Sequence, residues 1–180
     1  MRTLVFALGL LTAAPALASC PAPQDISVPS ARLLLDLRDA TNEGAARAIN
    51  GQLWDLWLTA PDPDAQAMLD VGQQRIRFGD YAQARSILSE LVDYCPDYAE
   101  GYNQRAFAAF LQADYEAALA DLDLALDRSP THLGAMSGKA LTLIGLGRDE
   151  VAQDVLREAL ALNPWLPERR FLVERPGEKL

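Results

Sequence analysis

The chain has 180 residues, half of them hydrophobic, which is enough for one domain with a substantial core. The formal net charge is −9, and the 16 Lys and Arg residues are scattered along the chain. Nucleic acid and anionic lipid are bound by clustered basic residues, so this composition argues against either as a partner.

Residues 1–18 have the features of a secretory signal peptide. Arg2 supplies a short positive region, an apolar stretch runs from Leu4 to Leu11, and Ala16-Leu17-Ala18 forms a small-x-small cleavage site. A transmembrane helix needs about 20 apolar residues, and neither this stretch nor a later one is long enough. We expect the mature chain to begin at Ser19, outside the cytoplasm and without a membrane span.

The residues around this cleavage site allow a second interpretation. Leu17-Ala18-Ser19-Cys20 resembles a bacterial lipoprotein cleavage box, in which the cut falls before the cysteine and the cysteine carries lipid. The Pro-Ala-Leu-Ala ending favours ordinary cleavage. Residues 19–29 then form an extended lead.

Residues 30–62 are predicted to form a degenerate helical hairpin. Its helical segments are 30–40 and 43–58, and the second is too apolar for a solvated helix, with Leu53, Trp54, Leu56, Trp57 and Leu58. We interpret this hairpin as a hydrophobic cap on the first of the repeats that follow. The alternative is an aromatic cluster that binds a ligand.

The next hundred residues repeat with a period of 34. Four columns of similar residues keep that interval three times: Pro96, Pro130 and Pro164; Ala84, Ala118 and Ala152; Leu88, Leu122 and Leu156; and the small residues Gly72, Ala106 and Ala140. The repeats run over 65–96, 99–130 and 133–164.

The segment "AEGYNQRAFAAFLQADYEAALADLDLALDRSP" (99–130) resembles the tetratricopeptide repeat (TPR) family over its whole length. The chain as a whole is similar to an exported bacterial TPR protein. The resemblance implies an all-α fold: a right-handed superhelical solenoid of antiparallel helix pairs, with three TPR units (65–164) and capping helices at both ends. Small residues at the helix crossings suit this fold, because a larger side chain would overpack them.

The turns within the repeats follow the same pattern. Gly79 suits a left-handed residue that ends a helix, and Asp80 suits the cap of the next one. Ala113 replaces that glycine in the second repeat, at a cost of up to ~1 kcal/mol if it is left-handed. In the third repeat Arg148 replaces the capping Asp, and Asp149 is expected to cap instead.

Residues 165–180 are interpreted as a C-terminal cap and tail. A further helix is expected to start at Pro167. Four apolar residues would then cover the last repeat, namely Trp165, Leu166, Phe171 and Leu172.

The sequence predicts no enzyme, cofactor or metal site. His132, the single histidine, lies between the second and third repeats and is expected in a solvated loop. One histidine excludes a two-His metal site and leaves no convincing Ser-His-Asp set, and a Cys95–His132 pair is disfavoured because both lie at repeat seams. "AMSGKA" (135–140) fails the phosphate-loop spacing. The acidic residues of "DLDLALD" (121–127) are interpreted as a solvated face.

Two cysteines in an exported chain suggest one disulfide, and Cys20 on the lead could reach Cys95. A disulfide and a lipid cannot share the sulfur of Cys20. The lipoprotein alternative therefore requires that this disulfide is absent.

In TPR proteins the first helices of the pairs line a concave groove that takes a peptide or a partner helix. The matching positions here are Gln66, Leu69, Gln73, Ile76, Arg77, Asn103, Phe107, Phe110, Leu111, Ser137, Leu141 and Ile144. Leu69 and Ser137 stand where some TPR domains place a lysine and asparagine set that clamps a C-terminal carboxylate. Phe107 and Phe110 fit either the groove or ordinary packing.

The resulting hypothesis is a non-enzymatic protein-interaction module of the bacterial periplasm, with a protein or peptide partner of unknown identity. The alternative is a lipid-anchored envelope assembly or structural protein, acylated at Cys20. The sequence leaves the oligomeric state open.

Overall fold

The computed structural model describes residues 19–173, which form eight α-helices and one short 3-10 helix. The predicted signal peptide and the end of the tail, 174–180, lie outside the described residues. The helices are α1 (Ser27–Arg38), α2 (Glu43–Trp57), α3 (Pro63–Arg77), α4 (Tyr81–Tyr94), α5 (Ala99–Leu111), α6 (Tyr115–Arg128), α7 (Leu133–Gly145), α8 (Asp149–Leu162) and the 3-10 helix Pro167–Phe171.

Three antiparallel pairs, α3–α4, α5–α6 and α7–α8, coincide with the predicted repeats. Their helices approach closely at the columns of small residues. A Cβ added to Gly72 would lie 2.7 Å from the Leu88 side chain, and Ala106 and Ala118 are fully buried. The predicted all-α solenoid of helix pairs is confirmed.

The turn inside each pair has one left-handed residue. Gly79, Ala113 and Gly147 have φ angles of 77°, 58° and 70°. Asp114 caps α6 by accepting a hydrogen bond from a backbone N–H in its first turn. The expectation for Asp149 is wrong: it lies inside the first turn of α8, and no side chain caps that helix.

The N-terminal hairpin consists of α1 and α2. The extended lead is shorter than predicted, because α1 begins at Ser27, whose N–H donates to Asp25 at 2.9 Å. The start of α2 is capped by Asn42, which accepts from the Ala45 N–H at 2.9 Å.

This hairpin does not cap the first repeat, as the sequence suggested, but packs against the last one. Leu37, Leu53 and Trp57 share one hydrophobic core with Met136 and Leu156 of α7 and α8. Leu58 and Ala60 of the connecting segment after α2, rather than the hairpin itself, lie against the core of the first repeat.

The C-terminal segment joins the same core. Leu166 is buried there, with Trp165 and Leu172 partly buried against it. The element that begins at Pro167 is a 3-10 helix of five residues. Phe171 remains 39% exposed and therefore covers the last repeat less than expected.

The predicted disulfide is present between Cys20 and Cys95, with their Cα atoms 5.2 Å apart. Cys95 follows the last residue of α4 and is buried in the core of the first repeat. The lead is thus fixed to the first repeat, while α1 and α2 pack on the third.

The row of acidic residues on α6 is not a uniformly solvated face. Asp121 is buried and pairs with Arg105 of α5 at 2.6 Å, and this hydrogen bond raises the pKa of the Arg105 guanidinium. Asp123 and Asp127 are exposed as predicted. Within residues 19–173, no helix is long and apolar enough to cross a membrane.

Candidate functional site

A cleft of about 440 Å³ lies between α2, α5, α7 and the start of the 3-10 helix. It contains five of the predicted groove residues: Asn103, Phe107, Phe110, Ser137 and Leu141. The first three lie on α5 and the other two on α7. The structure therefore brings together five of the seven predicted residues of the second and third repeats.

The other seven predicted residues do not line this cleft, namely Gln66, Leu69, Gln73, Ile76, Arg77, Leu111 and Ile144. Leu69 is fully buried between α3 and α4 and offers no surface to a partner, which corrects its assignment. Gln66 accepts a hydrogen bond from the Ala60 N–H at 2.9 Å, and Leu58 and Ala60 pack on the core around Leu69. Residues 58–60 therefore cover this part of the surface of the first repeat.

Below the cleft lies a buried carboxylate, Glu100, which accepts three hydrogen bonds. The donors are Asn103 Nδ2 at 3.0 Å, Gln104 Nε2 at 2.6 Å and His132 Nε2 at 2.8 Å. A buried charge is tolerated when donors surround it in this way. Since Asn103 is 6% exposed and its NH₂ group donates to Glu100, it presents little to a ligand.

His132 is fully buried, which corrects the expectation of a solvated loop. Its Nδ1 accepts the Ala135 N–H at 3.2 Å and so caps α7. The Nε2 atom therefore carries the ring proton and donates a hydrogen bond to the Glu100 carboxylate. The ring stacks on Trp57 with centroids 4.1 Å apart, so the hairpin covers the repeat seam and shields His132 from water.

The two phenylalanines of α5 differ in their surroundings. Phe107 is 46% exposed at the cleft, whereas Phe110 is partly buried with its ring 5.5 Å from that of Tyr115. Phe107 is thus available to a partner, and Phe110 contributes both to packing and to the cleft wall.

Several lining residues were not predicted, among them Asn50, Trp54, Gln104 and the segment 166–168. Trp54 lies so close to α7 that a Cβ on Gly134 would meet its ring at 2.6 Å. The sequence feature that could have identified Trp54 as a lining residue was the excess of apolar residues over 53–58. Leu53 and Trp57 are core residues, while Trp54 forms part of the cleft lining. The ligand-binding interpretation of that cluster stays a prediction.

The described lining of the cleft contains a single charged residue, Glu168. One of its carboxylate oxygens lies 3.5 Å from the Ser137 hydroxyl. Thr142, also in the lining, is fully buried, and its hydroxyl has no hydrogen-bond partner among the described residues. The cleft thus combines an apolar wall with hydroxyl groups and one carboxylate.

No family model matches the chain. A TPR repeat-containing protein of Rhizobium etli is 33% identical over 96 residues, which are 53% of this chain and 41% of that protein. The chain therefore matches less than half the length of this curated relative.

Solved TPR domains share the fold. The first TPR of Spaghetti bound to the HSP90 peptide SRMEEVD has a TM-score of 0.58 at 23% identity, over 59% of this chain and 84% of that one. The TPR2B domain of yeast Sti1 in complex with pHsp70 has a TM-score of 0.55 at 22% identity, over 61% and 83% of the two chains.

Proposed function

We propose that the chain, which has the helix-pair solenoid fold of tetratricopeptide repeat domains, is a non-enzymatic protein-interaction module. Its partner, a peptide or a helix, binds in the cleft between α2, α5 and α7. The observation that carries this proposal is Phe107, a large aromatic side chain that remains 46% exposed beside hydrogen-bonding groups. A ligand that covers such a ring removes a large apolar surface from water while its polar groups can still form hydrogen bonds. The peptide complexes of the Spaghetti and Sti1 domains support the same use of the fold.

We further propose that the module acts in the bacterial periplasm. Residues 1–18 read as a signal peptide, and the Cys20–Cys95 bond suits an oxidising compartment, where disulfides persist. The second candidate is a lipid-anchored envelope protein. The disulfide disfavours it, because the same Cys20 sulfur would have to carry the lipid.

The cleft is tested by placing the photocrosslinking residue p-benzoylphenylalanine at Phe107 in the native cell. Phe78 is the matched control, since it is 74% exposed at the end of α3 and lies outside the cleft. We expect a discrete crosslinked protein from position 107 and none from position 78. Phe107→Ala should weaken binding of that protein with little change in melting temperature. Equal capture at both positions would contradict the cleft assignment.

Export is tested by the intact mass of protein purified from the cell envelope. We expect a chain that lacks residues 1–18, carries no acyl group and contains no alkylatable thiol before reduction. A chain that begins at a diacylated Cys20 would instead establish the lipid-anchored candidate.

A further inference from the structure

We propose that the cleft selects a basic segment with an apolar anchor, and that the Glu168 carboxylate recognises its Lys or Arg side chain. This inference rests on the proposed function and specifies the chemistry of the partner. Its starting observation is the charge of the described lining, which holds the Glu168 carboxylate and no Lys or Arg. An acidic segment would therefore meet no Lys or Arg among the described lining residues, in a chain with net charge −9.

Glu168 is placed to make such a contact. It lies on the 3-10 helix at the edge of the cleft and is partly buried. Between residues 19 and 173, no Lys or Arg forms an ion pair with it, and its one hydrogen-bond contact is the long one to Ser137 at 3.5 Å. Of the arginines that follow it, Arg170 lies over the Phe171 ring at 4.8 Å. A partly desolvated carboxylate without a cation gains from a ligand that supplies one.

The same cleft provides the apolar anchor site. Phe107, Trp54 and Leu141 line it together with Glu168. Aromatic rings such as those of Phe107 and Trp54 also attract cations, which suits a basic ligand. An apolar side chain next to the basic one would cover the exposed part of Phe107.

The test uses a phage library of random dodecapeptides selected on the full-length mature protein. Four forms are compared: native, Glu168→Gln, Glu90→Gln and Phe107→Ala. Glu90 is exposed on α4 outside the cleft, so its replacement removes the same charge without touching the site. This control separates recognition at Glu168 from the general attraction of an acidic chain for basic peptides.

We expect peptides retained by the native and Glu90→Gln proteins to be at least two-fold enriched in Lys and Arg over the input library. Glu168→Gln should lose this enrichment, and Phe107→Ala should lose retention. For one synthetic retained peptide, Glu168→Gln should raise the Kd about three- to five-fold, as expected for a partly exposed ion pair.

Three outcomes would overturn the inference. If native protein retains acidic or uncharged peptides, or if Glu168→Gln keeps the basic preference, Glu168 is not the recognition group. The proposed function still stands in that case, provided that Phe107→Ala abolishes retention. If retention does not depend on Phe107, both the inference and the proposed binding cleft are wrong.

Discussion

At the scale of single residues, the buried carboxylate of Glu100 connects several parts of the fold. Its carboxylate accepts from Asn103, Gln104 and His132, and the last of these also caps α7 and stacks on Trp57. Two repeats and the N-terminal hairpin thus meet at one ionisable side chain. A change there disturbs three elements together.

We predict that Glu100→Gln lowers the free energy of unfolding by about 2 kcal/mol, because its NH₂ group must face one of the three donors. His132→Ala should cost about 3–5 kcal/mol, because it leaves the buried carboxylate without its charge-assisted partner and uncovers Trp57. Urea unfolding measures both. Glu90→Gln, on the exposed surface of α4, serves as the control and should change stability by no more than about 0.5 kcal/mol. A neutral effect of Glu100→Gln would show that the three hydrogen bonds contribute little.

A second residue-scale prediction concerns acid. The pKa of Asp62 is lowered, first by the Ala65 backbone N–H and then by the Tyr94 hydroxyl, which donates to it at 2.7 Å. A lowered folded pKa means that Asp62 stabilises the fold above its unfolded pKa, near 3.8, and that this contribution is lost as the pH falls through the folded value. Asn retains the cap of α3 but does not titrate. As the pH is lowered, the melting temperature should therefore fall less steeply for Asp62→Asn than for native protein. Parallel plots of melting temperature against pH would refute this.

At the scale of elements, the turns of the second and third repeats form a natural pair. Ala113 and Gly147 occupy the same left-handed position, and nothing lies within 4 Å of a Cβ added to Gly147. A difference between alanine and glycine there therefore comes from backbone conformation, in the folded or the unfolded chain, and not from a clash of the Cβ atom.

We predict opposite effects for the two exchanges. Ala113→Gly should stabilise the fold by about 0.5–1 kcal/mol, and Gly147→Ala should destabilise it by about 1 kcal/mol, because a Cβ disfavours positive φ. Thermal unfolding of the two single variants and the double variant provides the comparison. If Ala113→Gly is destabilising, the flexibility that glycine adds to the unfolded chain outweighs the relief of backbone strain.

The elements also show how far sequence reasoning reaches. The helix pairs and their turns were predictable because a 34-residue period records contacts between neighbours in the chain. The burial of His132 was not, because its ring is covered by Trp57 of α2, which is distant in sequence. Leu69 was misassigned for a different reason: it belongs to the face of α3 that packs against α4, and helical spacing alone did not separate that face from the groove face. Five of the seven groove residues predicted in the second and third repeats line the cleft. None of those predicted in the first repeat does, and there Leu58 and Ala60 pack on the repeat's own core.

At the scale of the whole molecule, the disulfide joins the lead to the first repeat across 75 residues of chain. We predict that Cys95→Ser lowers stability by up to about 4 kcal/mol, the entropic limit for a loop of that length. The native melting temperature should fall on reduction, while that of Cys95→Ser should not respond to reductant. Complete alkylation of both cysteines in unreduced protein would contradict the bond.

The shared core of the first hairpin and the last repeat also fixes the number of repeats. In an open solenoid a unit can be duplicated or lost at modest cost, since each contacts only its neighbours. Here an added repeat would carry α7 and α8 away from Leu37, Leu53 and Trp57, and three apolar side chains would face water at once. The ends of the array therefore cannot fray independently, and the domain should unfold as one cooperative unit whose length evolution cannot easily change.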